Sequence, residues 1–227
     1  MRVEPGPTGQ PLTTPRGIWP ISFGSRDSST APRMPSPIGE VLAALRASFD
    51  SLGVRWYLFG AQAAIYHGVA RLTADIDVTI QPGLHSTREL VTTLEANGFG
   101  LRMTASDAFV ARTRVLPLVH SSTRLPVDVV LAGPGLEERF LDHAESHVLE
   151  GVRIPIAAAE DLVTMKLLAA RPKDLDDAER MLRVGSDTID LDRVRQTLEL
   201  LEDALSQGDL IPQLEQILER IARASRS

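Results

Sequence analysis

The chain contains no cysteine. Disulfides, thiolate nucleophiles and zinc–sulfur centres are thereby excluded. No apolar run approaches the ~18 residues that a membrane-spanning helix needs. The opening residues, Met1 to Gly6, carry no apolar stretch of the secretory kind. A cytoplasmic location and no membrane partner are therefore expected. Lysine is almost missing. Of 24 basic residues only two, Lys166 and Lys173, are lysines. A chain that uses arginine wherever any cation will serve makes those two positions worth attention. An excess of positive charge is lacking too: the net charge is −6. A broad basic face that grips nucleic acid by charge alone is not expected. What is present is ordinary: 227 residues, 43% of them hydrophobic and 24% charged, enough for one domain with a sizeable core.

Eight of the fifteen prolines fall in residues 1–37. Gly, Ser and Thr fill much of the rest, and such a stretch buries too little apolar surface to offset chain entropy. A disordered, proline-rich tail is expected over 1–37. Ser36-Pro37 is a helix opening, and Val41, Leu42, Leu45 and Phe49 recur at helical spacing up to Gly53. Strands are expected over 54–59 and 74–80, with a short helix through 61–65 between them. A helix is expected over 86–96. Further strands are expected over 99–103, 108–120 and 126–131, then a helix over 135–144. A last strand over 147–156 bends at Gly151. From residue 157 the pattern is helical, in four segments: 158–170, 172–184, 190–206 and 209–224. The fold class is α+β: a mixed β-sheet core over 38–156, followed by a small C-terminal helical region over 157–227.

The informative segment runs Leu58-Phe59-Gly60-Ala61, through a short helix, to Arg71-Leu72-Thr73-Ala74-Asp75-Ile76-Asp77-Val78-Thr79-Ile80. Side chains alternate along a strand, so Asp75 and Asp77 share one face while Ile76, Val78 and Ile80 share the other. Two neighbouring acids on an apolar strand repel each other and are costly to bury. A divalent cation removes that cost, and an all-oxygen donor set suits Mg²⁺ or Mn²⁺. Asp128, in Val127-Asp128-Val129-Val130, is a third carboxylate of the same kind. If its strand lies beside the first, three carboxylates converge, which is the machinery of in-line phosphoryl or nucleotidyl transfer. The glycine at position 60, between strand and helix, lets backbone N–H groups approach phosphate oxygens.

The stretch from Phe59 to Ile80 resembles the first motif of the polymerase-β-type nucleotidyltransferases. It is most similar to the minimal bacterial branch that includes the AbiEii/AbiGii-type toxins. That branch shows Gly-Gly or Gly-Ala, a short helix, Arg-x-Thr-x-Asp-apolar-Asp and a later strand Asp. It also carries a helical Lys followed by a basic-Asp-x-x-Asp segment, read here as Lys166 and Lys173-Asp174-Leu175-Asp176-Asp177. The resemblance spans roughly residues 40–184. It implies a nucleotidyltransferase core in which Asp75, Asp77 and Asp128 are metal ligands and catalytic carboxylates, with Lys166 as the active-site lysine. Gly60, Ala61, Arg71, Thr73, Lys173 and Asp174 fall on the nucleotide-binding motifs. NTP is the implied donor and Mg²⁺ or Mn²⁺ the cofactor. The implied acceptor is a hydroxyl of a tRNA 3′ end or a protein, and a toxin role with an antitoxin partner goes with it. Ala61 departs from the Gly-Ser of the wider superfamily, so a hydroxyl to phosphate is missing. Two other readings stay open: a catalytically silent nucleotide-binding or antitoxin-like partner module, and a transferase modifying lincosamide or aminoglycoside antibiotics. Arg102, Arg112, Arg114 and Arg124, on the expected antiparallel strands, form a candidate basic patch for an RNA acceptor.

Overall fold

The computed structural model describes residues 36–102 and 107–226. The proline-rich segment therefore lies almost entirely outside the described residues. Helix α1 (Pro37–Leu52) opens where the Ser36-Pro37 pair puts it: Ser36 Oγ accepts the Gly39 N–H at 3.0 Å. Val41, Leu42, Leu45 and Phe49 form its buried stripe.

The chain then runs through β1 (Trp56–Phe59), α2 (Gly60–Tyr66), β2 (Ile76–Ile80), α3 (Thr87–Ala96), β3 (Phe99–Leu101) and α4 (Asp107–Thr113). Strands β4 (Val115–His120) and β5 (Pro126–Leu131), helix α5 (Leu136–His143), and strands β6 (Glu145–Leu149) and β7 (Val152–Ile156) complete the sheet region. Helices α6 (Ala159–Ala169), α7 (Pro172–Val184), α8 (Leu191–Leu205) and α9 (Leu210–Ala224) follow. The expected α+β class is the observed one, built on a seven-stranded mixed sheet of order β3-β4-β5-β2-β1-β7-β6. The β1–β7 and β2–β5 pairs are parallel, and the other pairs are antiparallel.

Two segments differ from the sequence expectation. Residues 108–120 do not form one strand. Residues 107–113 form α4, Val110 enters the core, and Arg114 in the left-handed region (φ 56°) separates helix from β4. A short apolar run of this kind suits either element, so its periodicity does not decide. Residues 147–156 form a hairpin, not a bent strand. Glu150 (φ 49°) and Gly151 (φ 82°) both take positive φ, the backbone of a two-residue turn that matches strand twist.

Ile76, Val78 and Ile80 are fully buried on one face of the sheet, beside Val127 and Val129 of β5 and Leu116 and Leu118 of β4. The opposite face carries the polar residues. Phe59, Asp77, Asp128 and Pro117 are successive cross-strand partners there, a single row across four strands. The helices after the sheet pack in a chain of contacts: α6 lies against α2, α7, α8 and α9. Asp161, near the start of α6, accepts from Arg193 of α8 at 2.9 Å and faces His143 of α5 at 3.1 Å, which ties three helices together.

Candidate functional site

The site is built from four segments. The parallel β2–β5 register sets Asp77 directly opposite Asp128, so the strand alternation that buries Ile76 and Val78 forces both carboxylates onto the same face. Asp75 lies one residue before β2 and is exposed. Gly60, at the β1–α2 junction, has φ 66°, and a Cβ there would stand 2.0 Å from Asp77 Oδ2. Only glycine permits that approach. The Ala61 backbone N–H donates to the Asp77 carboxylate.

The electrostatics are those of a partly buried acid cluster. Burial, with Asp128 and Asp75 nearby, pushes the Asp77 carboxyl up from 3.8 to about 6, against the opposing pull of Lys166 and the Ala61 N–H. Asp128 is ion-paired with Arg102, which follows β3.

The facing wall comes from α6, α7 and the α2–β2 loop. Lys166 is 8% exposed, and its Nζ donates to Asp174 Oδ1 at 2.9 Å and to Asp177 Oδ2 at 3.0 Å. Arg71 donates to the same Asp177 oxygen, and Arg171 pairs with the other Asp174 oxygen. Cations and carboxylates therefore alternate in the order Arg71, Asp177, Lys166, Asp174, Arg171. These contacts hold Asp174 below the usual carboxylate range although its burial alone works the other way. Lys166 thus neither snorkels to solvent nor stands free in the cleft: both of its acidic partners are on α7. Arg71 pairs with Asp177, not with Asp75 or Asp77.

A cavity of about 300 Å³ lies between the two walls. Its lining includes Gly60, Ala61, Arg71, Thr73, Asp75, Asp77, Asp128, Lys166, Lys173 and Asp174. These are the ten residues singled out from the sequence. It also includes Phe59, Leu162, Met165, Ala169 and Arg171, which the sequence reading passed over. The signal for Arg171 was its place three residues before Asp174 at the start of a helix. The apolar four gave none, because a core residue and a cleft residue look alike on an apolar helix face, as for Leu162, Met165 and Ala169 of α6, or at the end of an apolar strand, as for Phe59 of β1.

The donor set of Asp75, Asp77 and Asp128 is all oxygen and suits a hard divalent cation. As the side chains stand, however, no group of three or more histidine, aspartate or glutamate residues among the described residues is arranged to hold an ion. None of the four arginines of the candidate basic patch lies on a strand. Arg102 is taken by Asp128, Arg114 caps the Leu131 carbonyl at 2.9 Å, Arg112 lies on α4, and Arg124 lies in the β4–β5 turn. Their expected placement on antiparallel strands fails because residues 107–113 are helical and Arg102, Arg114 and Arg124 sit just beyond strand ends or in a turn, so the four share no strand face.

No protein-family model matches the chain, and neither does any curated protein sequence. Solved structures do. The solution structure of the antibiotic-resistance factor ANT(2'')-Ia is similar at 14% identity and a TM-score of 0.50, over 74% of this chain and 94% of that one. The lincomycin-bound lincosamide antibiotic adenylyltransferase LnuA is similar at 16% identity and a TM-score of 0.44, over 64% of this chain and 96% of that one. JHP933 from Helicobacter pylori is similar at 15% identity and a TM-score of 0.41, over 84% and 95%. With the mixed sheet and its helices, the likeness to ANT(2'')-Ia gives the conclusion on fold: this chain has the fold of the nucleotidyltransferases.

Proposed function

We propose that the chain is a Mg²⁺- or Mn²⁺-dependent nucleotidyltransferase that moves a nucleoside monophosphate from NTP onto a hydroxyl. The observation that carries this reading is the in-register pair Asp77–Asp128 across from a cationic wall in one cavity. Asp75, Asp77 and Asp128 would hold the cation, which when bound offsets the charge of the carboxylates and of the polyphosphate. Lys173, Arg171 and Arg71 rim the opposite wall and attract the triphosphate. Lys166 places positive charge at its centre while keeping α7 in position. The acceptor oxygen attacks the α-phosphorus, the bond from that phosphorus to the β-phosphate bridging oxygen breaks, and pyrophosphate leaves. A carboxylate of the cluster takes the hydroxyl proton.

By the resemblance to the AbiEii/AbiGii branch, the acceptor is a tRNA 3′ end or a protein side chain, the setting is a toxin with an antitoxin partner, and the location is cytoplasmic. A second reading, a small hydroxylated antibiotic as acceptor, is favoured by the likeness to ANT(2'')-Ia over almost all of that chain. Incubation with Mn²⁺ and each NTP, in the presence of total tRNA, protein or aminoglycoside and lincosamide mixtures, separates the two. Pyrophosphate release with one acceptor class identifies it. Asp77→Asn is expected to lower that release at least about a hundredfold. Wild-type turnover in that variant contradicts the assignment.

A further inference from the structure

Among the described residues, the Arg102–Asp128 ion pair is the one salt bridge made by the three carboxylates, and a bound cation has to displace it. Asp77 already has a neutral donor, the Ala61 N–H. Asp75 is exposed. Asp128 instead faces a full positive charge, the Arg102 Nη2 on its Oδ1. Both side chains are a little over one-third exposed, so the pair is reachable from solvent and is not locked into the core. Arg102 is also anchored at its backbone. Its N–H donates to the Pro117 carbonyl at 2.9 Å, and Pro117 is the β4 residue paired with Asp128. The guanidinium therefore belongs to the rung next to the carboxylate it meets, and the contact is set by the sheet.

We propose that Arg102 is an internal counter-cation that occupies the Asp128 carboxylate in the metal-free protein and competes there with the divalent ion. This rests on the reading that the three carboxylates are the metal site. Arg102 is a positioning residue: it acts through Asp128 and supplies no atom to the transfer. Its charge lowers the deficit of the cluster from three negative charges to two. The metal-free cluster is thus less self-repulsive, and the ion binds more weakly than the bare carboxylates would bind it. The coupling is reciprocal, so metal binding releases the guanidinium to solvent or to a phosphate or acceptor group in the cavity.

Mn²⁺ titration of the metal-free full chain, by calorimetry and by water-proton relaxation, tests this without any turnover. Arg102→Gln is expected to bind Mn²⁺ about fivefold tighter or more than wild type. Arg102→Lys keeps the charge and should stay within about twofold of wild type. Asp128→Asn, with or without Arg102→Gln, should bind more weakly and remove the effect of the arginine, since the two act through one carboxylate. Thermal melts in EDTA and in Mn²⁺ give a second readout. Arg102→Gln should lower the metal-free melting temperature and show a larger Mn²⁺-induced rise than wild type. Arg102→Gln with wild-type or weaker Mn²⁺ affinity and an unchanged Mn²⁺-induced rise overturns the proposal, while the metal site stands if Asp77→Asn still abolishes binding. Wild-type protein that binds no Mn²⁺ overturns both.

Discussion

Asp77 is held by several constraints at once. It is wedged against a glycine that cannot accept a side chain, it receives the Ala61 N–H, and burial raises its carboxyl to about 6. Its unfolded-state value is the ordinary one near 3.8. Between these two values the folded chain retains a proton that the unfolded chain has lost. The stabilisation from this group is complete below the lower value and disappears as pH rises through the higher one. Asp77→Asn should therefore be more stable than wild type at pH 7 in EDTA, by about 2 kcal/mol after allowance for solvent screening, and indistinguishable at pH 3.5. Urea denaturation at the two pH values measures the difference. Gly60→Ala should displace the Asp77 carboxylate and strain the positive-φ backbone, costing about 1–3 kcal/mol of stability and most of the Mn²⁺ affinity. Chemical denaturation and metal titration of that variant check both effects. Asp77, Asp75 and Gly60 could be read from the sequence because strand alternation and a glycine between strand and helix are local patterns. Arg102 could not: its pairing with Asp128 spans 26 positions and depends on a β3–β4–β5 register that no local pattern encodes.

Among the elements, α6 and α7 are joined to the α2–β2 loop through charge rather than only through apolar packing. Asp177 receives Arg71 from the loop and Lys166 from α6, and Asp174 receives Lys166 and Arg171. Lys166→Met leaves two buried carboxylates with one cation each. It should cost about 3 kcal/mol in urea denaturation. Asp177→Asn should weaken the hold on the loop that carries Arg71 and Thr73, seen as faster amide exchange across residues 69–75 with the sheet unchanged. Element existence was readable wherever periodicity was long. Helices α1, α3, α7 and α9 begin and end close to their expected bounds: Ser36 and Ser86 cap α1 and α3, Pro37 and Pro172 open α1 and α7, and an apolar stripe runs along each of the four. The misread pieces, α4 and the β6–β7 hairpin, are short, and their identity is decided by the single positive-φ residue Arg114 with burial of Val110 in the first case, and by the positive-φ pair Glu150–Gly151 in the second. The ion-pair order Arg71–Asp177–Lys166–Asp174–Arg171 was half visible. The acids near the start of a helix have a helix-dipole explanation of their own, which hides their second role.

At the scale of the whole molecule, an acidic chain carries a local cavity whose two walls have opposite charge. Net charge says nothing about that polarity, which arises only when the sheet face and α6–α7 are brought together. No helix among the described residues is long and apolar enough to cross a membrane. The fold is that of the nucleotidyltransferases, and the chemistry proposed for it is transfer of the α-phosphoryl-bearing nucleotide, not of the terminal phosphate. The most direct measurement uses NTP labelled in turn at the α- and γ-phosphates, with Mn²⁺ and the acceptor pool. The account predicts α-label in the acceptor and γ-label in released pyrophosphate, both lost in Asp77→Asn. Transfer of γ-label to the acceptor, or α-label transfer that survives Asp77→Asn, would contradict it.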